Sequence, residues 1–118
     1  MKPKPNRLSP SRGVVPLSVD GPRIVDPAGA PVLLRGVNRS GLEYSLEAAS
    51  AGITCDHLAH LTRDWGANII RLPFNQTWAL REDYLAEIDR VIAWAAENGA
   101  YTLLDLQWLD AEREFGAP

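Results

Sequence analysis

The sequence predicts an α/β fold built on a parallel sheet. Three observations carry that prediction. Short apolar runs alternate with stretches of helical periodicity along the chain. The runs that come after the first hairpin are apolar on both faces, as strands covered on both sides must be. Turn residues separate the pieces, so the order reads hairpin, β, α, β, α, β, the alternation typical of α/β domains.

Each element has its own justification. Residues 1–16 hold Pro3, Pro5, Pro10 and Pro16 among Lys, Arg and Ser. Proline removes backbone donors and favours extended chain, so this segment reads as a basic linker or arm, and the domain proper covers 17–118. Val19, then Ile24 and Val25, then Val32, Leu33 and Leu34 are apolar pieces divided by turns at Asp20-Gly21 and Pro27-Ala28-Gly29. They predict a small hairpin that leads into a more deeply buried strand over 32–37. A polar loop comes next over 38–53, with Gly41, Glu43, Tyr44 and Gly52. Thr54 is placed to cap a helix, because its hydroxyl can accept from a free backbone N–H. Leu58, Leu61 and Trp65 then recur at helical spacing, with Gly66 as the stop. A second strand spans 67–74, with Pro73 at its end, since proline cannot serve an interior ladder. The next helix covers 83–98. Its predicted stripe is Leu85, Ile88, Ile92 and Ala95 with Tyr84 and Val91 beside it; Asp83 is the predicted cap and Asn98-Gly99 the end. Trp65 and Trp94 read as core residues. The third buried strand covers 100–107.

Composition narrows the function classes. The 118 residues are 46% hydrophobic, a globular balance that excludes wholesale disorder. A net charge of −3 gives no basic footprint for nucleic acid. Cys55 is the single cysteine, so no internal disulfide forms and the redox compartment stays open. The positive charge of Met1-Lys2-Pro3-Lys4-Pro5 does not lead into the apolar core of a secretory signal. The expectation is a cytoplasmic protein, or one whose start lies downstream of a lost signal. No run approaches the roughly 18 apolar residues of a membrane span. His57 and His60, with Cys55 and Asp56, lack the further ligands a zinc site needs, so these are read as ordinary helix residues.

In a parallel α/β fold, function gathers at the carboxyl ends of the strands. Here those ends read Gly36-Val37-Asn38, Arg71-Leu72-Pro73-Phe74-Asn75 and Asp105-Leu106-Gln107-Trp108. Side chains alternate, so Ile69 and Arg71 share one face while Ile70 and Leu72 share the other. Asp105 and Gln107 likewise share a face, opposite Leu104 and Leu106, which are expected to meet helices. A charge facing a barrel interior must be paired, and Asp105 on the neighbouring strand is the expected partner of Arg71, with a large loss of stability if either is removed.

The stretches "LSVDGPRIVDPAGAPVLLRGVNRSGLEY", "WGANIIRLPFNQTW" and "AWAAENGAYTLLDLQW" resemble, in this order, the opening of family 5 glycoside hydrolases, the cellulase family. The resemblance covers about residues 17–110. It implies the N-terminal portion of a TIM (β/α)8 barrel, about three strands, with the hairpin closing the barrel's N-terminal end. It also implies retaining hydrolysis of β-linked glycosidic bonds by two glutamates, without metal or organic cofactor. The substrate is then cellulose, mannan, another β-glucan or a small β-glucoside, and the family is often extracellular. The family's second-strand arginine, which orients the nucleophile, corresponds to Arg71. The family's Asp-x-His at the third strand reads Asp105-Leu106-Gln107 here. An amide hydrogen-bonds sugar hydroxyls but does not titrate, so Gln107 is compatible with substrate binding and leaves the specificity open.

A TIM barrel takes about 250 residues. The family's acid/base and nucleophile glutamates end its fourth and seventh strands, and none of Glu43, Asp105, Asp110, Glu112 and Glu114 corresponds to either. Retaining hydrolysis needs two carboxyls about 5 to 5.5 Å apart. The expectation is therefore an incomplete barrel domain, inactive alone, whose partner is a β-linked oligo- or polysaccharide. A sheet open after its third strand invites self-association. The alternatives are a non-catalytic carbohydrate-binding or structural remnant, and a half-barrel completed by a partner chain. Arg71 reads as active-site support or as a structural ion pair, and both can hold. Gln107 and Asn38 read as sugar ligands or as strand-end hydrogen bonders. Trp78 and Trp108 read as stacking platforms for sugar rings or as loop packing. Glu43 reads as a cleft residue or as a solvated loop acid.

Overall fold

A computed structural model describes residues 13–108. Two short antiparallel strands, β1 (Ser18–Asp20) and β2 (Arg23–Val25), form the predicted hairpin. A separate three-stranded sheet comes next, made of β3 (Gly36–Asn38), β4 (Ile69–Asn75) and β5 (Tyr101–Trp108) in that order. Both of its pairings are parallel. The crossovers contain α1 (Cys55–Ala59), continued by a π turn over His60–Asp64, and α2 (Glu82–Glu97). The predicted order of elements is therefore the observed one. No helix among the described residues is long and apolar enough to cross a membrane.

The first sheet strand is shorter than the expected 32–37. Its preceding backbone is satisfied elsewhere. Val32 N–H donates to Ile24 O at 2.8 Å, and Pro31 bridges Val25 of the hairpin. Asn68 holds the rest: its Oδ1 accepts from Arg35 N–H at 2.7 Å and its Nδ2 donates to Leu33 O at 2.9 Å. Backbone groups bonded to a hairpin and a side chain are not free for a ladder. Leu33 is 67% exposed as a result.

Pro73 lies inside β4 rather than at its end, and it is buried. The ladder explains why this is tolerated. In a parallel sheet alternate residues address alternate neighbours. Arg71 O accepts from Arg39 N–H, so position 71 addresses β3, and position 73 addresses the same side. By then β3 has ended, its last paired residue being Asn38 opposite Arg71. The missing N–H of Pro73 faces a place where no strand asks for it.

Thr54 caps α1 as predicted, its hydroxyl accepting from His57 N–H at 3.1 Å. Beyond Ala59 the helix widens. The buried Thr62 hydroxyl donates back to Leu58 O and Ala59 O, at 3.0 and 3.1 Å, and Trp65 N–H reaches His60 O five residues back. Back-bonding threonines disturb helical ladders, and a π turn shifts the phase of the residues beyond it. Trp65 is accordingly turned outward and is 65% exposed, which corrects its expected place in the core. Gly66, at φ +78°, then ends the element as expected.

The long helix also departs in phase. Its buried stripe is Tyr84, Ile88, Val91 and Ala95, while Leu85 is 41% exposed. Tyr84 takes the core position because its ring fills the layer and its hydroxyl finds two backbone partners there, Leu42 O and Asn75 N–H. Arg81 occupies the cap position without a side-chain bond, and Asp83 lies in the first turn, paired with Arg81 at 2.7 Å. Acids in that turn favour the positive helix end even without capping it. Trp94 packs half-buried against the core.

The core lies between the helices and one face of the sheet: Ile70 and Leu72 of β4 meet Leu58, Leu61, Tyr84, Ile88 and Val91. Leu104 and Leu106 lie on that same side, opposite Leu72 and Phe74, yet each is 45% exposed. The expected helix cover over them is absent among the described residues. Of the expected arm over 1–16, residues 1–12 lie outside the described residues, as do Asp110, Glu112 and Glu114.

Candidate functional site

The other face of the sheet carries the polar strand ends. Period-two alternation sends Ile70 and Leu72 to the helices and Arg71 away from them. Register then decides what Arg71 can reach. It sits opposite Asn38 on one side and Leu103 on the other, with Asp105 opposite Pro73 one pleat further on. A long guanidinium spans that diagonal. Arg71 Nη2 donates to Asp105 Oδ2 at 2.5 Å and to Gln107 Oε1 at 2.8 Å, and Arg71 Nη1 donates to Asn38 Oδ1 at 3.2 Å. Three of the predicted residues thus converge on the guanidinium of a fourth, and the four come from three adjacent strands. The Arg71–Asp105 pair expected from the alternation is present, with 38% and 30% of the two side chains exposed.

The chemistry of that cluster is constrained by donor type. A guanidinium only donates. The oxygens of Asn38 and Gln107 must therefore face Arg71, and their amide N–H2 groups are the atoms turned away from it. The cluster presents fixed donors beside a shared positive charge and a carboxylate. It borders an open concavity of ≈ 270 Å³ lined by Gly36, Val37, Asn38, Ile69, Arg71 and Leu103. Gly36 is required at that wall, since a Cβ there would lie 1.8 Å from Ile69 O.

Glu43 and Trp78 stand apart from this cluster. The Glu43 carboxylate accepts from Gly41 N–H, and the residue is only 6% exposed, so it is not a solvated loop acid. Its backbone oxygen accepts from Asn75 Nδ2 at 2.8 Å. Trp78 comes after β4 in a short 3-10 turn over Gln76–Trp78, and its ring meets Tyr84 edge-on at 5.6 Å. That contact is loop packing. The backbone of Trp108 pairs with Asn75, but its side chain lies outside the described residues.

Three residues escaped prediction. The Tyr84 hydroxyl donates to Leu42 O and accepts from Asn75 N–H at 3.0 Å. Burial raises the Tyr84 pKa above its ordinary value, opposed by the Asn75 hydrogen bond and assisted by the nearby Glu43. Asn75 ties the end of β4 to the loop over 39–53. Arg39 anchors the same loop, donating from Nε to His57 Nε2 at 2.8 Å and from Nη2 to Ala51 O at 2.9 Å. A tyrosine on the edge of an apolar stripe was the one signal available in the sequence for any of them. Among the described residues no group of three His, Cys, Asp or Glu could hold a metal ion.

Comparison with known proteins bears on the family and the fold. Residues 25–109 match the family model for cellulase (glycosyl hydrolase family 5). Endoglucanase C of Evansella cellulosilytica is 30% identical over 93 residues, covering 75% of this chain and 11% of that protein. Among solved structures, a β-glucanase of Saccharophagus degradans in complex with cellotetraose superposes with a TM-score of 0.69 at 28% identity. The match covers 88% of this chain and 32% of that one. The catalytic domain of a Thermobifida fusca endoglucanase, also in complex with cellotetraose, superposes at 0.60 and 28% identity. That match covers 78% of this chain and 30% of the endoglucanase chain. The chain thus spans about a third of the solved structures it resembles, and the sheet is a part of their TIM barrel.

Proposed function

The chain belongs to glycosyl hydrolase family 5, and from that premise we propose that it forms the opening wall of a retaining β-glycanase cleft. The observation that carries this reading is the single guanidinium of Arg71, held at once by Asn38, Asp105 and Gln107 from the two strands that flank β4. Such an arrangement keeps the cation at a fixed place, where it holds the charge of a catalytic carboxylate and orients it. The two amide N–H2 groups and the Asp105 carboxylate then hydrogen-bond sugar hydroxyls. Gln107 does this without titrating, so binding at this wall does not track the pH as an imidazole would. Glu43 and Trp78 stand apart from this cluster and support the segments that follow β3 and β4, Glu43 through Gly41 N–H and Trp78 by packing on Tyr84, while Trp108 follows Gln107 at the end of β5. The cellotetraose in the two matched structures favours a β-1,4-linked glucan as the partner.

The bond-breaking carboxyls belong to other strands. In the family they end the fourth and seventh strands, and the described sheet has three. A polypeptide of these 118 residues alone therefore binds without hydrolysing. The test is direct. Cellotetraose added to the isotopically labelled chain is expected to shift the side-chain amides of Asn38 and Gln107 and the Arg71 Nε signal, and Arg71→Ala abolishes those shifts. Soluble β-glucan incubated with the chain is expected to yield no reducing ends. Hydrolysis by the chain alone, or shifts confined to residues away from β3, β4 and β5, would contradict the reading.

One observation favours a further, compatible reading. Leu104 and Leu106 are each 45% exposed on the helix side of β5. A half-exposed apolar sheet face calls for a cover, from more chain or from another copy.

A further inference from the structure

The loop over 39–53 comes directly after β3, and one of its own side chains ties it to α1. Arg39 lies immediately after β3. Its guanidinium sits between Gly41 and Gly52, where added Cβ atoms would come within 3.7 and 3.3 Å of its nitrogens. From there it donates to Ser40 O, to Ala51 O at 2.9 Å and to His57 Nε2 at 2.8 Å. The first two bonds stay within the loop. The third joins the loop to α1.

That third bond has a protonation requirement. Arg39 can only donate, so His57 Nε2 must carry a lone pair, and the imidazole must be neutral. A protonated ring would present an N–H to an N–H and place two cations 2.8 Å apart. We propose that Arg39 and His57 form a pH-dependent pin, which positions the 39–53 loop against the end of β4 and releases it when His57 is protonated. The positioning reaches that strand end through two contacts. Leu42 O takes the Tyr84 hydroxyl, and Glu43 O takes Asn75 Nδ2 at 2.8 Å, at the end of β4.

The surroundings of His57 agree with this. Burial lowers its pKa, the Arg39 charge lowers it further, and His60 one turn along the same helix adds to both. His60 is itself engaged by Asp64 at 2.6 Å. The sign comes from linkage. A histidine depressed in the folded state contributes stability that is fully present above its unfolded pKa, about 6.5. That contribution is lost as the pH falls from there through the folded value. The pin is therefore closed at neutral pH and opens under mild acid. It rests on contacts within this chain and does not depend on the glycan reading.

Amide hydrogen exchange across pH tests it on the 118-residue chain. The reporters are Ala51 and Ile53, whose N–H groups bond to Ala48 O within the loop. After correction for intrinsic exchange, their protection is expected to fall below about pH 6.5, by up to about tenfold per unit. Leu72 in the core of β4 keeps its protection over the same range. His57→Gln supplies an acceptor that does not titrate, and is expected to keep the loop protected and abolish the pH dependence. His57→Ala opens the loop at every pH. If wild type and His57→Gln lose protection in parallel, or if Leu72 opens together with the loop, the pin is not the controlling contact and the proposal falls.

Discussion

The most informative single residue is Arg71, because its three side-chain partners come from the strands on either side of it and all of them are acceptors. Alternation alone placed Arg71 and Asp105 on one face, and the pair forms. The convergence of Asn38 and Gln107 was not legible, because it depends on register. Asp105 lies opposite Pro73 rather than Arg71, so the bond is a diagonal that no count along one strand reveals. The energetic expectation also changes. A fully enclosed ion pair would destabilise strongly when broken. With 38% and 30% of the side chains exposed, water screens the pair. A double-mutant cycle of Arg71→Ala and Asp105→Ala, read by urea denaturation, is expected to give a coupling of about 1 kcal/mol. A coupling near zero would reduce the cluster to a crowd of independent side chains. Tyr84 behaves differently, being fully buried. Its hydroxyl serves Leu42 O and Asn75 N–H, so Tyr84→Phe strands one buried and one part-buried backbone group at a cost of about 1–3 kcal/mol in the same assay.

At the scale of elements, the order of strands and helices was readable, while phase and boundaries were not. Strand β4 showed itself because six consecutive residues over 69–74 hold five apolar or proline positions around Arg71. Helix α1 misled because its leucines keep the 3.6 spacing up to Leu61, and the Thr62 back-bonds then widen the turn. Nothing in a spacing rule announces a π turn. Helix α2 misled by one residue for a different reason: Tyr84 and Leu85 compete for the core, and hydroxyl partners on β4 and the loop decide it. The first sheet strand shrank because the Asn68 side chain captured its backbone. What remains of it depends on a close approach. Gly36 faces Ile69 O, and Gly36→Ala would force the two strands apart. Gly29 lies in open space at φ +84°, so Gly29→Ala incurs only left-handed strain, about 1–2 kcal/mol. Gly36→Ala is expected to lower the urea midpoint clearly further, with lost protection at the Arg39 amide that bonds to Arg71 O. Equal midpoints for the two variants would mean that the β3–β4 contact carries little of the stability.

At the scale of the whole molecule, the sheet is open at both edges. Strand β4 has neighbours on both sides, while β3 and β5 each pair with β4 alone among the described residues, and β5 is the longer edge. Leu103, Leu104 and Leu106 are 52%, 45% and 45% exposed along it. In the matched structures such a strand lies within a barrel, and this chain spans about a third of their length. An open parallel edge with apolar residues on both faces is a template for another strand. We therefore expect the 118-residue polypeptide to associate with itself in the micromolar to millimolar range, where exposed edges drive assembly. Full burial of a leucine is worth about 1.5–3 kcal/mol, so completing the burial of two half-exposed ones contributes about 1–3 kcal/mol together. Leu104→Lys with Leu106→Lys removes that term and adds like charges across the contact. The pair is expected to weaken association by about tenfold or more. Sedimentation equilibrium reads the result: mass above the 13.0 kDa of one chain for the parent, and a return toward it for the double variant. A parent that stays at 13.0 kDa at every concentration would mean that the β5 face is stable without a cover.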